Sequence, residues 1–163
     1  GSLGQGLSAS IGAALSKKLN QDDRFVYVLM GDGEQQEGQV WEAAMFAPHH
    51  QVDNLIAFVD VNGQQIDGPT DEVMNYGDLG AKYAAFGWEV LACDGNDFEA
   101  LEKAILEAQA KSGKGKPVAI MMKTVMGKGV NFMEGHHKWH GVAPSDEQAQ
   151  KALEQLEETL GDY

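Results

Sequence analysis

Cysteine is almost absent: Cys93 is the only one in 163 residues. No intrachain disulfide can form, which points to a reducing, cytoplasmic compartment. No apolar run approaches the ~20 residues that a membrane-crossing helix needs, and the start lacks the pattern of a signal peptide. Basic residues are few. Twelve Lys and Arg stand against 25 Asp and Glu, for a net charge of −13. A nucleic-acid binder carries a basic patch or stripe to meet phosphates, so that class is excluded. Between Arg24 and Lys82 there is no Lys or Arg at all, while Asp32, Glu34, Glu37, Glu42 and Asp60 fall in the gap. Most of those acids are expected to be solvated surface. The chain also lacks an initial Met and opens on Gly1-Ser2-Leu3-Gly4. It is therefore expected to be processed, cut, or part of something longer.

What remains is ample for one core. Apolar residues make up 43%, and a domain of this length buries roughly two-thirds of its unfolded surface. Helix and strand signals alternate. Residues 7–19 place Leu7, Ile11, Ala14, Leu15 and Leu19 on one helical face, and the polar run 20–23 ends it. Phe25 to Met30 and Leu55 to Val61 are continuous apolar runs of strand length, suited to a sheet covered on both faces. Helices are predicted over 37–47 and within 77–86, and strands over Trp88 to Cys93 and Pro117 to Val125. Asn96 with Glu99 resembles a capping box ahead of a helix that Gly113 and Gly115 terminate. Ser145 with Gln148 looks like another cap, opening a last helix that carries Ala149, Ala152 or Leu153, Leu156 and Leu160. No repeat or linker interrupts the alternation, so residues 1–163 read as one α/β domain with a parallel sheet and helices on both faces.

In such sheets ligands sit beyond the carboxyl ends of the strands. Gly31-Asp32-Gly33, Asn62-Gly63 and the loop 127–144 all follow strands, so three unusual segments converge on one edge. Gly31 and Gly33 let backbone approach a phosphate closely, and a following helix N-terminus favours anions. Asp32 is then a hard oxygen ligand for a divalent cation. Asn62, at the end of the next strand, offers a neutral amide oxygen beside it. A backbone carbonyl just beyond Asn62 adds a third oxygen, and a diphosphate completes the octahedron. Gly-Asp-Gly alone is commonly just a turn. Strand, Gly-Asp-Gly-Glu, helix, strand, Asp60-Val61-Asn62-Gly63 is far more specific. His136, His137 and His140 offer zinc ligands, but no cysteine sits near and a zinc site is not expected.

The arrangement resembles the thiamine-diphosphate motif of the transketolase family. Gly1-Ser2-Leu3-Gly4-Gln5-Gly6 is similar to the family loop that contacts the aminopyrimidine. Glu37-Gly38 and Trp41-Glu42-Ala43 resemble the helix after Gly-Asp-Gly. Gln65-Ile66-Asp67-Gly68, Phe86-Gly87-Trp88 and Gly127-Lys128-Gly129 fit the family pattern too. Trp139-His140-Gly141-Val142-Ala143-Pro144 resembles the loop that bears an active-site histidine. The likeness covers essentially the whole chain.

By that resemblance, Asp32, Asn62 and the Gln64 carbonyl hold Mg2+, with Ca2+ or Mn2+ as substitutes, and the metal holds the cofactor diphosphate. Gly1, Leu3, Gly31 and Gly33 join the cofactor site. His140 touches the diphosphate and the sugar. Glu37 and Glu42 lie near a dimer interface and link two active sites. The implied reaction is transfer of a two-carbon ketol unit between sugar phosphates through thiamine diphosphate. Family parts are missing: an upstream region with further histidines, and the pyrimidine-binding domain with its activating glutamate. The resemblance therefore implies a split transketolase whose pyrimidine-binding C-terminal subunit is a separate polypeptide, in a dimer or heterotetramer inactive without it. A 1-deoxyxylulose-5-phosphate synthase, a sulfosugar transketolase and a non-catalytic fragment are the alternatives. No nucleic-acid or membrane partner is expected.

Overall fold

The four apolar runs become the four strands of one parallel sheet. The computed structural model describes residues 3–157. In chain order the elements are α1 (Gln5–Leu19), β1 (Val26–Gly31), α2 (Gly38–His49), β2 (Leu55–Val61), β3 (Gln64–Gln65), β4 (Gly68–Pro69), α3 (Thr70–Met74), α4 (Leu79–Phe86), β5 (Glu89–Asp94), α5 (Phe98–Lys111), β6 (Val118–Lys123) and α6 (Asp146–Leu153). The large sheet runs β1-β2-β6-β5, every pair parallel, while β3 and β4 form a separate antiparallel hairpin. None of the described helices is long and apolar enough to cross a membrane.

Burial explains the strand compositions. Central β2 is covered on both faces, and Leu55, Ile56, Ala57 and Val59 are each 0% exposed. That is why it reads as an unbroken apolar run. One face carries α1, α2 and α4, whose Leu7, Ile11, Val40, Leu79 and Tyr83 join Val28, Met30 and Val59. The other carries α5, whose Ala104 and Ala108 pack on Ile56, Val118, Ile120 and Met122. Strand β1 lies at the sheet edge and is covered on one face only, so its Tyr27 and Leu29 are exposed.

The register sets the strand ends level. Gly31 stands opposite Asp60, Asp60 opposite Met122, and Met122 opposite Cys93. The loops after all four strands therefore open at one edge, as the sequence pattern requires.

Several local expectations need correcting. The cap of α5 is Asp97, whose side chain accepts from the Glu99 and Ala100 N–H groups. Asn96 instead accepts from the Val125 N–H, 2.8 Å away, and ties the α5 entry to the segment after β6. The Ser145–Gln148 capping box does form. Helix α6 stops at Leu153, which is exposed, as is Leu156; Leu160 lies outside the described residues. Residues 33–36 form a 3-10 turn before α2 starts at Gly38. The hairpin β3–β4 and the short α3 carry too few residues to show a periodicity. Cys93 is half-buried.

Candidate functional site

A pocket of about 380 Å³ opens at the carboxyl edge of the sheet. Four separate segments build it: Leu3 ahead of α1, the run from Gly31 to Glu34 after β1, the segment from Asp60 to Gln64 at the end of β2, and His140 from the long loop. Gln36, Glu37, Gln65 and Ile66 complete the wall. Leu3, Gly31, Asp32, Gly33, Glu37, Asn62, Gln64 and His140 thus share one cavity. Gly1 lies outside the described residues.

Asp32 is the centre of the polar network. It is 1% exposed. Its Oδ1 accepts from the Gly33 N–H at 2.7 Å, and its Oδ2 from the Gly63 N–H at 2.6 Å and the Tyr76 hydroxyl at 2.9 Å. Its own N–H donates to the Asp60 carbonyl, locking the turn to β2. A carboxylate so charged and buried is held by hydrogen bonds to it that are roughly twice as strong as neutral ones. Burial pushes the Tyr76 phenol above its ordinary pKa, Thr70 opposes the rise through a hydrogen bond, and the Asp32 charge adds to it. At neutral pH Tyr76 is therefore a protonated donor. The Gly33 N–H, expected to face a phosphate, is engaged by Asp32. Gly33 does serve a close approach, since a Cβ there would sit 3.1 Å from the Gln65 Cβ.

Asn62 Oδ1 accepts from the Gln64 N–H at 2.8 Å, a local turn that aims the amide oxygen. The Gln64 Oε1 is buried with no partner among the described residues. Thr124, just past β6, donates its hydroxyl to Asp60. Among the described residues no Lys or Arg lines the pocket, while Asp32, Glu34, Glu37 and Asp60 do. Nor does any cluster of three His, Cys, Asp or Glu side chains among them hold a metal by itself.

Glu34 is a site residue that sequence reasoning left among the surface acids. Its Oε1 accepts from the Gly4 N–H at 2.7 Å and its Oε2 from the Gly31 N–H at 3.1 Å. Helix α1 has no side-chain cap of its own and no acid in its first turn. Glu34 supplies that negative charge from another segment. Gly4 has φ +87°, and a Cβ on it would sit 2.8 Å from the Glu37 Cβ. Only glycine lets the α1 entry lie this close to the pocket wall.

The family model described as "Transketolase, thiamine diphosphate binding domain" matches residues 1–160. The chain belongs to the transketolase family. It is 43% identical over 157 residues to the 6-deoxy-6-sulfo-D-fructose transketolase subunit SqwG of Clostridium sp. (strain MSTE9), covering 96% of this chain and 56% of that protein. It is 40% identical to an apulose-4-phosphate transketolase subunit of Phocaeicola vulgatus, covering 98% of this chain and 56% of that one. The crystal structure of the transketolase from Campylobacter jejuni superposes with a TM-score of 0.86 at 36% identity, over 95% of this chain and 25% of that one. The chain thus spans about half the length of these two transketolase subunits.

Other residues of this transketolase-family chain fall outside the pocket. Glu42 lines a separate groove of about 340 Å³ between α1 and α2, with Ile11, Leu15 and Phe46. His136 and His137 are exposed and do not line the pocket. Lys128 lines a neighbouring cavity with Cys93, Asp94 and Lys123.

Proposed function

We propose that this chain is the diphosphate- and metal-binding part of a transketolase, which moves a two-carbon ketol unit from a ketose phosphate to an aldose phosphate. One observation carries the reading. Asp32 and Asn62, just beyond the ends of two paired parallel strands, share a pocket with Leu3 and His140. The donor set suits a metal that a diphosphate completes. Mg2+ usually takes one or two carboxylates and fills its octahedron with phosphate oxygens and water. A carboxylate has about four lone-pair sites, and three hydrogen bonds to Asp32 leave one on Oδ1. Asn62 Oδ1 keeps a second lone pair. Gln64 faces Pro69 in the hairpin, and Pro69 has no N–H to give its carbonyl.

Charge supports the same reading. An acidic pocket with no Lys or Arg among the described residues that line it repels a bare diphosphate, and a divalent cation between them reverses the sign. Mg2+ is the natural occupant, with Ca2+ or Mn2+ as substitutes. Thiamine diphosphate, when bound, supplies the carbon nucleophile that takes up and releases the ketol unit. The chain's own residues bind and orient. Asp32, Asn62 and the Gln64 carbonyl hold the metal, and Gly31 and Gly33 keep the backbone bare beside the diphosphate. Leu3 meets the aminopyrimidine. His140 contacts the diphosphate and holds or moves a proton at a sugar hydroxyl, and Glu37 links the site to a second one.

A pyrimidine-binding subunit supplies the rest of the site, in a dimer or heterotetramer. A sulfonated ketose is the second substrate class, favoured by the relative named for 6-deoxy-6-sulfo-D-fructose; parallel assays with phosphorylated and sulfonated ketoses separate the two. The decisive experiment is calorimetry of thiamine diphosphate binding with Mg2+ in the presence of the pyrimidine-binding subunit. Asp32→Ala is expected to weaken binding by more than about 100-fold, beyond the range for residues that merely support ligands. Equal binding by wild type and variant overturns the assignment.

A further inference from the structure

The oxygen of Asp32 that is left for a metal is not a matter of chance. Two donors from different segments fill Oδ2: the Gly63 N–H at 2.6 Å and the Tyr76 hydroxyl at 2.9 Å. On Oδ1, among the described residues, only the neighbouring Gly33 N–H, at 2.7 Å, is bound. Tyr76 follows α3, in the same stretch as Met74, whose carbonyl accepts from Gln36 Nε2 at 2.6 Å. Gln36 also donates to the Gln65 side chain at 2.8 Å. The segment carrying Tyr76 is thus fastened to the turn after β1 and to the hairpin. The ring packs against the core beneath the sheet edge and lines a second cavity with Asn62 and Gly63.

We infer that Tyr76 is a positioning residue for the metal: by occupying Asp32 Oδ2 it restricts Asp32 to one-oxygen donation and so favours Mg2+ over larger cations. The inference rests on the metal-site reading above. Mg2+ demands near-ideal octahedral geometry at short distances, for which a single, aimed carboxylate oxygen is suited. Ca2+ accepts six to eight oxygens and takes carboxylates through both atoms. With the phenol gone, Oδ2 regains a lone pair and the carboxylate can turn to present both oxygens. Donors that hold a metal ligand in this way are typically worth 10–100-fold in metal affinity.

The test is calorimetry of thiamine diphosphate binding to the full-length protein assembled with its pyrimidine-binding subunit. Mg2+ and Ca2+ are each titrated for wild type, Tyr76→Phe and Asp32→Ala. The expected result for Tyr76→Phe is a half-saturating Mg2+ concentration raised roughly 10–100-fold. The Ca2+ value moves much less, so the preference shifts towards Ca2+, and cofactor affinity at saturating metal stays near wild type. The phenylalanine ring keeps the packing, and the metal-free melting temperature reports on it. Should the variant melt early, the ratio of the two metals still decides, because both are read on the same folded fraction. An unchanged ratio, or equal shifts for both ions, overturns the role of Tyr76. Absence of Mg2+-dependent binding in wild type, or its persistence in Asp32→Ala, overturns the metal site itself.

Discussion

Replacing Glu34 by Gln tests how the pocket wall is fixed. The carboxylate holds two backbone amides from distant segments, Gly4 at 2.7 Å and Gly31 at 3.1 Å. Glutamine has one acceptor oxygen and one NH2 group. It keeps the shorter bond and turns a donor towards the other N–H. The charge at the α1 N-terminus disappears as well. A hydrogen bond to a charged group contributes about 1.5–3 kcal/mol and a charge in the first turn about 0.3–1 kcal/mol. Glu34 is half-buried, so solvent trims both contributions, and a loss of about 2 kcal/mol is expected. For a chain of this size that lowers the melting temperature by roughly 4–8 °C. Urea unfolding at neutral pH measures the free energy, and hydrogen exchange at the Gly4 and Gly31 amides locates it. Protection should fall at Gly31 more than at Gly4. A loss below about 0.5 kcal/mol, within the range of ordinary surface changes, would refute the view that Glu34 caps α1 from outside.

Two further predictions concern stability. Tyr83 is 0% exposed and donates to Gln35 Oε1 at 2.7 Å. Burial pushes its phenol well above the ordinary 10.0, with the Glu34 charge adding to the rise. Its folded pKa is raised, so its contribution is intact below the unfolded value and is lost as pH climbs above 10.0. Wild type should lose stability in that alkaline window, and Tyr83→Phe should flatten the loss while costing about 1–2 kcal/mol at neutral pH through the orphaned Gln35 oxygen. Asp97→Ala should cost about 1 kcal/mol by removing the α5 cap, measured by urea unfolding. A comparable cost from Asn96→Ala, with Asp97→Ala silent, would restore the capping box read from sequence.

Strands and long helices were legible because burial imposes a period or a continuous apolar run, and β2 was read at its observed bounds for that reason. That Asp32 and Asn62 share one pocket was legible too, because each directly follows one of two paired parallel strands. What escaped is tertiary. Glu34 looks like any first-turn acid until Gly4 is folded against it. Tyr76 stands 44 positions from Asp32, with no periodicity or motif joining them. The β3–β4 hairpin is only two residues per strand. Asn96 and Asp97 are both good caps, and only the pairing of Asn96 with Val125 decides between them.

The placement of β6 between β2 and β5 has a kinetic meaning. During synthesis β2 must wait about sixty residues for the strand that satisfies its second edge, roughly 3–12 s at ordinary elongation rates. Until then the β1–β2 pair carries an unprotected edge of Leu55 to Val61, a template for wrong pairing with other nascent chains. Asp60 also waits for the Thr124 hydroxyl, just past β6, that fastens it to the neighbouring strand. The pocket is complete only when the chain has passed both Thr124 and His140, the last residue that lines it.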